Sequence, residues 1–216
     1  MRAYFIRHAE TNSNKRHVHQ RPESDLSELG VSQANKLGEF FLDIEIDALY
    51  TSDFNRTINT ANKISEVSGI PLEKTETLRE IRRPNSLYGT SHFGPKTFSY
   101  VLKTVRHHEE SAWHYEDGES LFELNERAEL FVKELERISK TKENVVVVSH
   151  AIILELIIAR LCNDGDLGWP DYFKIFSPFS TLGNASITTF DYSKVLKQKT
   201  CSWLQISLND TSHLKG

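Results

Sequence analysis

Arg7 and His8 stand side by side directly after Ala3-Tyr-Phe-Ile6, four residues that favour an extended chain. An arginine grips an anion through a planar fork of N–H donors, and an imidazole is both a nucleophile and a proton carrier. The same residue types recur further on. Ser52-Asp53 is followed one helical turn later by Arg56, and His150 ends the run Asn144-Val-Val-Val-Val-Ser149. Two arginines and two histidines brought together make an anion site suited to a phosphoryl group. Guanidinium forks match phosphate oxygens, and one of the imidazoles is left to attack phosphorus. Such chemistry also needs an acid to protonate the leaving oxygen, and Glu80 in Leu78-Arg79-Glu80-Ile81 is the first choice. Singly, each residue is equally at home as a solvated or capping group; jointly they gain weight, because the four fall at one kind of junction.

That junction is where a strand hands over to a helix. Residues 47–51 read as a second strand. The helix after it runs through Ile58, Ala61, Ile64 and Val67 and is closed by Gly69 and Pro71. Between the first two strands lie a polar loop over 12–23 and a helix whose apolar face is Ala34, Leu37, Phe40 and Phe41. Leu121, Leu124, Ala128, Phe131, Leu135 and Ile138 are spaced by three and four and predict an amphipathic helix. The valine run at 145–148 reads as a central parallel strand, and an apolar helix continues over 151–160. Residues 72–78 predict a short strand, and 185–191 and about 200–208 two closing strands. The expected fold is therefore α/β: a three-layer sandwich in a single domain, 1–216, with a mostly parallel central sheet and helices on both faces. An irregular excursion over about 83–118, rich in aromatics and histidines, passes over the active-site edge. In a parallel sheet the strand-to-helix junctions share one edge, so Arg7, His8, Arg56 and His150 can share a pocket.

Composition narrows the partners. A formal charge of −4 argues against a general nucleic-acid binder, while a local cationic pocket still suits a small anion. No apolar run approaches the roughly 18 residues of a membrane span, and Arg7 to Glu10 interrupts the N-terminal apolar run too early for a secretion signal. Cys162 and Cys201, far apart and without a CxxC, read as small buried hydrophobes in a reducing cytoplasm. The three Asn-X-Ser/Thr sequences are discounted on the same grounds. His17-Val-His19 and His107-His108 lack zinc-site spacing and read as solvated loop histidines; no metal and no cofactor is expected. Walker, GxGxxG and GxSxG motifs are absent.

With these residues in place, the chain resembles the histidine phosphatase superfamily, of phosphoglycerate-mutase-like fold. That family opens on Arg-His-Gly-Glu-Thr, which stands here as Arg7-His8-Ala9-Glu10-Thr11, with Asn14 and Gln20 at matching offsets. Leu26-Ser27, Gly30 and Gln33-Ala34 are similar to the segment that follows. Ser52-Asp53-Phe54-Asn55-Arg56-Thr57, Gly118-Glu119-Ser120 with Arg127, and Ser149-His150 with Asn184-Ala-Ser-Ile resemble the later motifs. The resemblance implies His8 as nucleophile, passing through a phosphohistidine that water hydrolyses, with Arg7, Arg56 and His150 holding the phosphate and Glu80 as general acid. It also implies Thr11, Asn14 and Gln20 beside the substrate.

Departures are informative. Ala9 and Ala151 replace glycines, which is tolerable where φ stays negative. Val18 stands where the family often has Arg, and Arg21 where Gly follows Gln20, so the substrate-side loop differs. Arg82-Arg83-Pro84 follows the acid; Arg83 is counted among the substrate-binding residues, with an outward ion pair as the alternative. The expectation is a metal-independent cytoplasmic phosphatase of a small phosphorylated metabolite. The alternatives are a phosphoglycerate mutase, which must shield the phosphoenzyme from water, and a catalytically silent phosphate-binding protein.

Overall fold

The computed structural model describes residues 1–107, 110–163, 182–193 and 202–215. Strands β1 (Arg2–Arg7), β2 (Ala48–Thr51), β3 (Leu72–Lys74), β4 (Asn144–Ser149), β5 (Ile187–Tyr192) and β6 (Trp203–Asp210) form one sheet in the order β3-β2-β4-β1-β5-β6. The first four are parallel; β5 runs antiparallel to β1, and β6 antiparallel to β5. Among the described residues the α-helices are α1 (Asn12–Lys15), α2 (Glu28–Phe40), α3 (Asn55–Ser68), α4 (Pro95–Arg106), α5 (Leu121–Ile138) and α6 (Ala151–Cys162).

Strand alternation sends the core to both faces. Tyr4, Ile6, Leu49, Val146 and Val148 cluster with Ala34 and Leu37 of α2 and Ala61 and Ile64 of α3. Ala3, Phe5, Tyr50, Val145 and Val147 cluster with the buried residues of α5 and α6 on the other side. Fully burying a side chain of this size contributes about 1.5–3 kcal/mol, so a one-residue register slip would be prohibitive. The helix starts are capped as their sequences dictate. Ser27 Oγ accepts the Gly30 N–H at 3.0 Å, and Ser120 and Glu123 form a reciprocal capping box at the head of α5. Gly69, at φ 71°, closes α3 in the left-handed conformation that suits glycine.

The registers explain why distant residues converge. Arg7 pairs with Ser149 and Thr51 with Val148, so three parallel strands end at the same level and deliver His8, His150 and Ser52 side by side. β4, inserted between β2 and β1, makes this the place where strand order reverses, which is where open α/β sheets form their binding crevice.

The excursion departs from its sequence reading. It is not irregular throughout: α4 occupies its middle, flanked by a 3-10 turn over Asn85–Leu87. Phe98, Val101, Leu102 and Val105 have helical spacing, yet they face outward; the helix packs through Thr97, Tyr100 and Thr104. The expected loop at 12–23 likewise contains the one-turn helix α1, and residues 72–78 divide into β3 and a 3-10 turn. The second closing strand begins at Trp203; residues 200 and 201 lie outside the described residues.

Candidate active site

At the sheet edge the His8 and His150 rings lie 5.3 Å apart, centroid to centroid, and both are buried. His8 Nδ1 is 2.8 Å from the carbonyl oxygen of Ala9. A carbonyl only accepts, so Nδ1 carries the proton and donates, which leaves the lone pair on Nε2. Burial, then the charges of Arg56 and Arg7, hold His8 well below the usual imidazole range, so the ring is neutral at neutral pH. His150 is held down by burial and by Arg56, His8 and Arg7 in turn. Its Nε2 is 3.0 Å from Ser52 Oγ, while its Nδ1 has no protein partner among the described residues.

Two guanidiniums complete the polar wall. Arg56 is buried, and desolvation lowers it to about 10, still fully cationic at neutral pH. Its Nη1 donates to the carbonyls of Arg21 at 3.0 Å and Pro22 at 3.4 Å, and its Nε lacks a partner among the described residues. Arg7 Nη1 donates to the Leu182 carbonyl, and Arg7 Nε is likewise unpartnered there. Burial also lowers Arg7, opposed by the charges of Glu80 and Glu155. Buried N–H groups without an acceptor are costly, and two of them on paired guanidiniums make a site suited to an oxyanion.

Glu80 sits at the head of α6. Its Oε1 accepts from the N–H groups of Ile81 at 3.0 Å and Ile153 at 3.3 Å, and its Oε2 from Ile152 at 3.2 Å. Its charge bears on both Arg7 and Arg56. The loop that carries it is braced from behind by Arg127. That guanidinium donates to the Thr77 carbonyl at 3.0 Å and the Arg79 carbonyl at 2.8 Å, and forks onto Glu119 at 2.7 and 2.8 Å.

The remaining sequence-derived residues fall into two groups. Thr11, Asn14 and Gln20 form a hydrogen-bonded set: the Thr11 hydroxyl is 3.0 Å from Asn14 Oδ1 and 2.9 Å from Gln20 Oε1. Thr11 caps α1, and Asn184 Nδ2 ties the set to the backbone, donating to the His8 carbonyl at 3.0 Å. Arg83 turns inward over the Tyr100 ring, its Cζ 5.9 Å from the centroid. Among the described residues it forms no ion pair.

Three sequence readings change. His19 is buried rather than solvated, with Nε2 2.8 Å from Thr97 Oγ1. His107 stacks on Trp113 at 4.6 Å, and His108 lies outside the described residues. Cys162 is exposed rather than buried, and Cys201 lies outside the described residues. Sequence reasoning also missed Glu155, buried on α6 and accepting the Leu182 N–H at 3.3 Å. Its signal was a single acid inside the otherwise apolar run of residues 151–159. Ala9 and Ala151 are not among the residues with positive φ, so both accept the added methyl without backbone strain.

Among the described residues, no group of three or more His, Cys, Asp or Glu side chains is placed to hold a metal ion, and no helix is long and apolar enough to cross a membrane. The profile of the histidine phosphatase superfamily (branch 1) matches residues 3–204. The chain belongs to the histidine phosphatase superfamily. Its relatives include phosphatases and mutases. A Hydrogenobacter thermophilus protein, provisionally named phosphoserine phosphatase 2, is 29% identical over 76% of this chain and 80% of its own length. A Salmonella arizonae protein, provisionally named phosphoglycerate mutase, is 26% identical over 99% of this chain and 95% of its own. The solved structure of a mycobacterial glucosyl-3-phosphoglycerate phosphatase has the same fold, with a TM-score of 0.78 at 23% identity, covering 97% of this chain and 99% of that one.

Proposed function

We propose that the protein is a metal-independent phosphatase that hydrolyses a small phosphomonoester through a phosphohistidine on His8. The observation that carries this reading is the hydrogen bond from His8 Nδ1 to the Ala9 carbonyl, which aims the Nε2 lone pair as nucleophile. In the first step Nε2 attacks phosphorus and the P–O bond to the leaving alkoxide breaks. Arg7, Arg56 and His150 stabilise the equatorial oxygens, through the N–H groups that lack protein acceptors. Glu80 supplies the proton to the leaving oxygen from Oε2, the oxygen with a single N–H donor. In the second step Glu80 takes a proton from water, which attacks phosphorus and releases phosphate and His8.

Thr11, Asn14 and Gln20 shape the loop beside the nucleophile, and Asn184 anchors it. The reaction is placed in the cytoplasm, in a single domain spanning 1–216, with no cofactor and no nucleic-acid or membrane partner. The test is hydrolysis of an aryl phosphate in excess EDTA by wild type and by His8→Ala. Turnover in wild type that is lost in the variant supports the reading; equal turnover by both overturns it.

A further inference from the structure

Facing the phosphate-holding residues is a lip made from two loops. Residues Val18 and Ser91 pair as an antiparallel bridge; the His19 N–H donates to the Thr90 carbonyl at 3.0 Å, and the His92 N–H to the His17 carbonyl at 2.8 Å. This lip carries two guanidiniums over aromatic rings. Arg83 Cζ lies 5.9 Å from the Tyr100 centroid, and Arg21 Cζ 5.2 Å from that of Tyr88. The lip abuts the phosphate end directly, because Arg56 Nη1 donates to the carbonyl of Arg21 itself.

The acids nearest in sequence are Glu23, two residues after Arg21, and Glu80, which accepts the N–H groups of Ile81, Ile152 and Ile153. Further along the chain, Glu119 pairs with Arg127, Asp117 accepts from Asn85 and Glu116 from Ser86. Neither Arg21 nor Arg83 has a carboxylate partner among the described residues. The charges of Arg83, Arg21 and Arg56 all bear on Tyr88, opposed by Asp117, and those of Arg83 and Arg7 bear on His92. Burial and Arg83 keep His19 neutral, as burial and Arg83 do His92, so the cationic character of the lip comes from arginine and persists across the physiological range.

We infer that Arg83, with Arg21, forms a second anion subsite, so that the substrate is a phosphomonoester carrying a further carboxylate or phosphate group. An unpaired guanidinium on an aromatic face is oriented in advance for a planar or tetrahedral anion, and such a contact discriminates charged from neutral substituents. The inference rests on the phosphatase reading and deepens it.

The experiment compares kcat/KM for 3-phosphoglycerate against glycerol 3-phosphate, and for fructose 1,6-bisphosphate against fructose 6-phosphate, in wild type and in Arg83→Gln. In at least one pair the wild type is expected to favour the doubly anionic compound by about tenfold or more, the equivalent of one well-placed charged contact. Preference in the first pair alone identifies a carboxylate, and in the second alone a phosphate. Arg83→Gln is expected to collapse that ratio, and Arg83→Lys to restore part of it. A ratio near one in wild type, or one that Arg83→Gln leaves intact, overturns the subsite. If no compound in the panel is hydrolysed, calorimetric binding of the same pairs reads the same ratio, and equal affinities overturn it. The phosphatase reading is judged separately by the aryl phosphate and His8→Ala.

Discussion

Arg127→Met tests whether the loop bearing Glu80 is held by the brace behind it. Arg127 makes bonds to the Thr77 and Arg79 carbonyls at 3.0 and 2.8 Å and two to Glu119 at 2.7 and 2.8 Å. Glu119 in turn accepts the Arg82 N–H at 3.0 Å, so one ion pair clamps both ends of the segment around Glu80. The side chains are 21% and 10% exposed, so most of the pair is withdrawn from water. Removing one partner of a fully buried pair costs about 3–5 kcal/mol, chiefly by stranding the other charge. Partial exposure argues for the lower end, about 3 kcal/mol, which lowers the melting temperature of a chain of this size by roughly 6–12 °C. Adding Glu119→Gln removes the stranded charge, and the double variant is expected to recover about 1–2 kcal/mol relative to the sum of the singles. Differential scanning calorimetry of the four proteins reads the cycle. Because Glu80 loses its register, kcat is expected to fall about tenfold or more with a smaller change in KM. A melting temperature within about a degree of wild type, or strictly additive singles, refutes the brace.

Gly30 of α2 packs on the turn after β1: a Cβ there would lie 2.0 Å from the Glu10 carbonyl oxygen. Gly30→Ala is expected to lower the urea midpoint, because overpacking of about 1–3 kcal/mol outweighs the gain of about 1 kcal/mol in helix propensity; a raised midpoint contradicts the close approach. Acid is a second perturbation. His8 and His150 are held well below the usual imidazole value of 6.5, and burial pushes His19 down to about 3 and His92 to about 4. The unfolded chain therefore takes up protons below about pH 6.5 that the native state refuses, so stability is full above that pH and drains as pH falls toward the native values. The slope is up to about 1.4 kcal/mol per pH unit for each histidine. Urea denaturation at pH 7 and pH 5.5 reads it, and His19→Gln with His92→Gln should flatten the slope; a stability that is level or rising toward pH 5.5 contradicts these environments.

What could be read from the chain beforehand followed from repetition. The β-branched run at 145–148 and the three-and-four spacing from Leu121 to Ile138 each have one structural solution, and β4 and α5 carry those residues. The approach of Arg7, His8, Arg56 and His150 was legible because parallel strands ending together leave their junctions at one edge. α4 was not recognised, because its hidden side is Thr97, Tyr100 and Thr104 while its apolar residues face out, the reverse of an ordinary amphipathic helix. His19 was misread for a related reason: its burial depends on Thr97 and on the paired loop at 88–92, contacts made across some 70 or more residues that no local pattern announces. Glu80 was chosen for its position after a strand, but its three N–H donors, two from the head of α6, arise only once the chain is folded.

The central claim is that His8 carries the phosphoryl group. The most direct measurement is rapid mixing with an aryl phosphate, an alkaline quench that preserves phosphohistidine, and peptide mapping by mass spectrometry. A single phosphoryl group on His8, absent from His8→Ala and decaying at least as fast as turnover, is the predicted result. Steady hydrolysis with His8 unmodified throughout, or with the phosphoryl group on His150 instead, would contradict the account.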